Sequence, residues 1–232
     1  MKNIFTFYIL LLLGFFLNAQ NLKSPDNNLD LNFSIDEKGR AFYSLNFHEK
    51  PVILNSGLGF MLKDNVEWMK IDTLDMMNNF KILNVTFDSV DEYWNPVWGE
   101  ESEIRNNYNE MFVELQQLES ERKVNIRFRL FDDSLGFRYE FPLQEKLGSF
   151  IIIDEKTEFA MAGDHTAIWI PGDYDTQEYN YTTSKLSEIE QKSIEFKEEN
   201  VSMYRFSNWA VQTALMMKSQ NGLYINIHEA AL

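Results

Sequence analysis

The sequence predicts an all-β fold, an antiparallel β-sandwich, and three observations lead there. Apolar and polar residues alternate at period two in stretch after stretch from Leu29 onward, and clusters of Gly, Pro, Asn and Asp punctuate those stretches. The chain has no cysteine, so a packed core alone must hold it. With 44% hydrophobic and 15% aromatic residues among 232, it has the composition of a globular protein rather than a disordered one.

The first residues stand apart from that pattern. Met1-Lys2-Asn3 gives a positive start, and the apolar run Ile4 to Leu17, broken only by Thr6 and Gly14, is shorter than the roughly 20 residues a membrane-spanning helix needs. Leu17-Asn18-Ala19 ends on a small side chain, so residues 1–19 read as a secretory leader and residues 20–232 as one β-sandwich domain. Cleavage removes Lys2 and leaves 20 basic against 36 acidic side chains, a net charge of −16. That field repels phosphate backbones and anionic lipid, which excludes nucleic-acid and membrane-surface partners and suits a neutral ligand or a cation.

The strands follow in order. Leu29, Leu31, Phe33 and Ile35 alternate with polar residues, Asp36-Glu37-Lys38-Gly39 turns the chain, and Ala41, Tyr43, Leu45 and Phe47 return it. Val52 to Leu54 and Leu58 to Leu62 are short strands with bends at Gly57 and Gly59. Residues 64–79 lack a pattern and read as a loop in which Met76-Met77 fills a packing gap. Strands resume at Lys81 to Ser89, Met111 to Leu115, Val124 to Leu130 and Leu135 to Phe141, the last closed by Pro142. Ser149 to Ile153 is apolar and β-branched, the mark of an interior strand. Residues 185–202, rich in Glu and Lys, suit an amphipathic helix or an exposed excursion. Val211 to Lys218 and Leu223 to Ile227 form a hairpin through Asn221-Gly222, a pair that suits a mirror-image turn.

Four features carry possible chemistry. Tyr93-Trp94-Asn95-Pro96-Val97-Trp98 sets aromatic rings around a proline, as a platform for a sugar ring or, in the reading adopted, as core packing. Arg127 and Arg129 stand on the face opposite Val124, Ile126, Phe128 and Leu130, where a salt-bridged sheet face accounts for them better than an anion site. His48, His165 and His228 lack metal-ligand spacing and read as ordinary hydrogen-bonding residues.

The fourth feature is the loop from Trp169 to Tyr179. Ala167 to Ile170 is a strand end, Pro171-Gly172 turns it outward, and Asp173, Asp175 and Glu178 follow among aromatic rings with no Lys or Arg between them. Such a loop suits a hard cation such as Ca²⁺, which takes carboxylate and carbonyl oxygens. A solvated acidic turn explains the same spacing.

Several ordered blocks bear on that choice: Ser24-Pro25-Asp26, Trp94 to Glu100, Glu103 to Asn106, Phe128 to Asp133, Leu135 to Pro142, Gly163-Asp164-His165, Trp169 to Ile189 and Leu223 to Leu232. Together they resemble the N-terminal domain of glycoside hydrolase family 97, the bacterial α-glucosidases and α-galactosidases. The resemblance implies an antiparallel β-supersandwich, truncated here at its C-terminal end, with the catalytic (β/α)₈ barrel absent from this chain. It implies a periplasmic, Ca²⁺-dependent α-glycosidase acting on α-linked oligosaccharides through the barrel. Glu178 matches the family glutamate that reaches from this domain to help hold Ca²⁺. Both catalytic carboxylic groups of the family belong to the barrel, so no catalytic residue is assigned, although Glu100, Glu101, Glu178 and Glu229 invite it. A non-catalytic carbohydrate-binding module is the rival expectation, and the glucosidase branch is expected over the galactosidase branch.

Overall fold

The computed structural model describes residues 19–64, 73–196, 205 and 207–230. The leader expected at residues 1–19 lies outside them but for its last residue, as do 65–72 of the expected loop, 197–202 of the Glu- and Lys-rich stretch, and Ala231-Leu232. The chain divides into two compact units between Ala160 and Met161. No described helix is long and apolar enough to cross a membrane.

In the first unit the strands are β1 (Gln20–Lys23), β2 (Leu29–Ile35), β3 (Ala41–Phe47), β4 (Lys50–Leu58), β5 (Phe60–Asp64), β6 (Thr73–Met76), β7 (Phe80–Trp94), β8 (Ile104–Gln117), β9 (Lys123–Leu130), β10 (Leu135–Glu140) and β11 (Phe150–Glu155). They make three antiparallel sheets, ordered β1-β2-β3-β4, β10-β9-β8-β7 and β11-β5-β6. The expected alternation sets the inner faces: Leu31, Phe33 and Tyr43 are fully buried, as are Met111, Val113, Phe128 and Leu130. Phe33 and Tyr43 of the first sheet meet Phe128 of the second at ring distances of 5.8 and 6.5 Å, which makes the pair a sandwich. The β2–β3 turn is set by Asp36, whose Oδ1 accepts the amides of Lys38 and Arg40, both at 2.9 Å. Gly39 there has φ +70°, and a Cβ on it would lie 2.4 Å from the Phe80 nitrogen, so no other residue fits.

Five expectations need correction. Part of the loop read over 64–79 is strand β6, which pairs with β5 and buries Met76. The short, Asp-containing segment TLDM hid its strand because pairing, not local pattern, makes it one. Ser149 to Ile153 is not interior: β11 pairs only with β5 at a sheet edge, and Ile151, Ile152 and Ile153 are each nearly half exposed. The aromatic block is not core either, since Trp94 is 50% and Trp98 90% exposed. It caps a ribbon: β7 and β8 pair from Phe80–Gln117 out to Trp94–Ile104, but β9 accompanies β8 only over Asn109–Gln116, so Ile104 to Tyr108 has a single neighbouring strand. The fourth and fifth corrections concern the second unit and are given with it.

The outward face of the second sheet is salt-bridged, as expected for Arg127 and Arg129. Arg127 pairs with Glu110 and, at 2.7 Å, with Glu140; Arg129 reaches Glu110 at 2.8 Å. Both guanidinium groups also lie over rings, Arg127 over Phe112 at 4.4 Å and Arg129 over Tyr108 at 4.5 Å. The hydrogen bond from Arg127, more than the partial burial opposing it, holds the Glu140 carboxyl below its ordinary value of 4.5. A carboxyl lowered on folding adds stability that is present above 4.5 and lost as pH falls through the depressed value. Urea midpoints should therefore fall as the solution is acidified below that range, and Glu140→Gln should be less stable at neutral pH while losing less on acidification; parallel pH profiles would refute this.

The second unit holds β12 (Thr166–Trp169), β13 (Thr182–Lys185), a 3₁₀ turn (Leu186–Glu188), α1 (Ile189–Glu195), β14 (Leu215–Lys218) and β15 (Tyr224–Ile227). Its antiparallel sheet runs β13-β12-β14-β15, and its core is Ala167, Trp169, Ile189 and Met217. The Glu- and Lys-rich stretch is thus helical over Ile189–Glu195, with Ile189 buried and Ile194 exposed. Asp164 fixes its start by accepting the Ser187 amide at 3.0 Å and hydroxyl at 2.8 Å, bonds that lower its carboxyl pKa. The last hairpin is where expected, but its turn differs: only Gly222 is left-handed, at φ +84°, and the Leu223 amide bonds Ser219 Oγ at 3.0 Å. A Gly222 amide bonded to the Ser219 carbonyl makes this the longer hairpin loop, an ordinary turn followed by a left-handed glycine. His48 lies at a left-handed turn position beside Phe47, and His228 is exposed. His165 departs from expectation, being buried with no partner for Nε2 among the described residues.

Candidate metal-binding loop

The loop starts from a fixed point. Trp169 at the end of β12 is fully buried, and its indole N–H donates to Ser184 Oγ on β13 at 3.0 Å. Beyond it, Pro171 and Gly172 run beside Ala210 to Gln212: the Gln212 amide bonds the Ile170 carbonyl at 3.1 Å and the Gly172 amide bonds the Ala210 carbonyl at 2.8 Å. A Cβ on Gly172 would sit 2.8 Å from the Ala210 Cβ, so glycine is needed here for close approach.

The three acids expected to act alike divide into two kinds. Asp173 is turned into the loop: Oδ1 accepts the Asp175 amide at 2.8 Å and the Thr176 amide at 3.3 Å, and Oδ2 accepts the Tyr179 hydroxyl at 2.6 Å. Asp175 and Glu178 are exposed, and no described residue hydrogen-bonds their carboxylates. The Glu178 amide is held by Thr176 Oγ1 at 3.0 Å, so its backbone is fixed while its side chain faces outward. From across the loop Gln212 Nε2 donates to the carbonyls of Asp173 at 3.0 Å and Thr176 at 3.4 Å. Asp173, Tyr174, Asp175, Thr176, Gln177 and Gln212 line an open polar cleft of about 200 Å³.

Tyr179 closes the loop from beneath. It is 5% exposed, and its ring meets Phe196 edge-on at 5.6 Å. Burial, then the bond to the Asp173 carboxylate, pushes its hydroxyl pKa up to about 12. Arg205 steadies Phe196, lying over its ring at 5.6 Å and donating to the carbonyls of Ser193 and Phe196.

A hard cation binds 6–8 oxygens at about 2.3–2.6 Å, and among the described residues no three acidic or histidine side chains gather to supply them. The described residues do not close a metal site by themselves. Their donor chemistry nevertheless fits one ligand, because Glu178 offers an unengaged carboxylate from a fixed backbone, whereas Asp173 is already occupied. Sequence reasoning named Glu178 but missed Asp173 as a brace, and it missed Gln212 altogether. The signal for Asp173 was available, since an Asp two residues before an exposed amide favours such a turn; Gln212, 39 residues from Asp173, carried none.

A family model described as glycosyl-hydrolase 97 N-terminal matches residues 22–232. A retaining alpha-galactosidase of Bacteroides thetaiotaomicron is 26% identical over 187 residues, 75% of this chain and 25% of that protein. Among solved structures, a glycoside hydrolase family 97 enzyme from Pseudoalteromonas sp. strain K8 in complex with acarbose is 33% identical with a TM-score of 0.74, over 92% of this chain and 28% of that one. A variant of that enzyme in complex with panose matches equally, with a TM-score of 0.73. A β-arabinopyranosidase, at 19% identity and a TM-score of 0.68, shares the fold. The chain therefore spans about a quarter of the length of the alpha-galactosidase and of the family 97 enzyme.

Proposed function

Because this chain belongs to the glycosyl-hydrolase 97 family, through that family's N-terminal domain, we propose that it serves a periplasmic, Ca²⁺-dependent α-glycosidase by presenting Glu178 as one calcium ligand at the edge of the catalytic domain. The observation that carries this is the Glu178 carboxylate itself, exposed and, like that of Asp175, free of hydrogen bonds from described residues, on a loop whose backbone is braced through Asp173, Thr176 and Gln212. When bound, the ion would polarise substrate oxygens; this chain's own part is to fix one carboxylate in place. The paired carboxylic groups that cleave a glycosidic bond lie, on this reading, outside the present sequence. The reading of residues 1–19 as a secretory leader, from their positive start and short apolar run, supports export. Greater identity to the enzyme solved with panose and acarbose than to the α-galactosidase supports α-glucosidic oligosaccharides as substrate. Calcium titration of the natural protein, with and without the Glu178 carboxylate, tests the proposal.

One observation favours a second role, direct carbohydrate binding by the first unit. Tyr93 and Trp94 at the end of β7 are 60% and 50% exposed, and Trp98 is 90% exposed on the connection that follows, which Asn95 braces through the Ser102 carbonyl at 2.8 Å. Flat rings beside amides suit sugar stacking. Isothermal titration of this chain with maltooligosaccharides should then give micromolar binding that Trp98→Ala abolishes, and absence of heat would remove this role.

A further inference from the structure

We infer that Asp173, Tyr179 and Gln212 are positioning residues for Glu178, holding its backbone in the one conformation from which the carboxylate reaches a calcium ion. This rests on the ligand role proposed for Glu178 and asks what makes a solitary ligand effective. A carboxylate on a free loop would lose side-chain and backbone freedom on binding, and that loss of entropy would weaken its hold on the ion. Here that ordering is done in advance. Asp173 Oδ1 gathers the amides of Asp175 and Thr176, Thr176 Oγ1 gathers the amide of Glu178, and Gln212 ties the carbonyls of Asp173 and Thr176 to the neighbouring segment. Tyr179, the residue after the ligand, is buried against Phe196 and bonded to Asp173 Oδ2 at 2.6 Å. The ligand is thus flanked by anchors on both sides: the Thr176 hydroxyl two residues before it and a buried ring one residue after it.

The arrangement makes opposite demands on neighbouring acids. Glu178 must keep its charge, whereas Asp173 must keep an acceptor oxygen, and its charge serves no bond to the ion. Asparagine retains the Oδ1 acceptor and can still bond the Tyr179 oxygen through its amide; alanine retains neither.

Calcium affinity of the natural protein, measured by isothermal titration, separates these demands. Outer partners of a metal ligand typically contribute about 10–100-fold in affinity, so Asp173→Ala and Gln212→Ala should each weaken calcium binding by about tenfold or more, while Asp173→Asn stays within about threefold of the parent. Amide hydrogen exchange of Asp175, Thr176 and Glu178, read without metal, should speed up in Asp173→Ala and stay slow in Asp173→Asn, with thermal midpoints little changed. If Asp173→Asn loses as much affinity as Asp173→Ala, Asp173 acts by charge and the inference falls. It falls equally if Glu178→Gln weakens binding while Asp173→Ala and Gln212→Ala do not. An unchanged affinity in Glu178→Gln instead overturns the ligand role itself, whatever the Asp173 variants do.

Discussion

Glu178→Gln in the natural protein is expected to raise the calcium dissociation constant by about 100-fold or more, above the range usual for an outer partner, and to remove glycosidase activity in step with the metal. The substitution is nearly isosteric and removes one formal charge from a side chain that no described residue contacts by hydrogen bond. Its effect on the fold should accordingly be small, because exposed side chains outside a network seldom shift stability by more than about 0.5 kcal/mol. Saturating calcium should restore the activity, since affinity rather than chemistry has been lost. Titration curves and rates are the two readouts. Equal calcium affinity in the two proteins would end the assignment, and a fall in activity at saturating calcium would point to a role in the reaction instead.

Trp169→Ala is expected to be the most destabilising single change in the second unit, costing about 3–5 kcal/mol. The ring is fully buried with Ala167, Ile189 and Met217, and this small core has no disulfide to support it. The indole N–H bond to Ser184 Oγ is lost as well, though the Ser184 hydroxyl keeps its own bond to the Lys185 carbonyl at 2.9 Å. Trp169→Phe keeps an aromatic ring and should cost clearly less. Urea denaturation followed by circular dichroism measures both; a loss under about 1 kcal/mol for Trp169→Ala would show that the unit's stability rests elsewhere. Because the acidic loop begins at Ile170, the alanine variant should also bind calcium less well in proportion to the fraction unfolded.

Much of the scaffold was legible because period-two alternation reports directly on a sheet with one dry face. Leu29 to Phe47 and Val124 to Leu130 follow that rule closely, and their inward residues are the buried ones. Where the rule failed, the deciding partner lay far along the chain. Ile151 to Ile153 have the residue types of an interior strand, yet a neighbour on one side only leaves them half exposed. The Trp94 to Trp98 rings have the composition of a core, and only the 14-residue length of β8 carries them beyond it. The candidate site behaved likewise. Pro171-Gly172 marked where the loop begins, and Glu178 stood out by resemblance. Composition could not distinguish Asp173 from Asp175, because what separates them is a tyrosine hydroxyl and two amides that bond the Asp173 carboxylate.

The two-stranded ribbon beyond β9 has a geometric consequence. Side chains on a strand alternate sides, so adding two residues to each arm of β7 and β8 would carry Trp94 and Trp98 outward by roughly 7 Å with their orientation preserved. Adding one to each would advance them half as far and turn them to the opposite side. The distance at which these rings stand is therefore adjustable only in paired steps, and natural variation in ribbon length should come in even increments wherever the rings have something to touch.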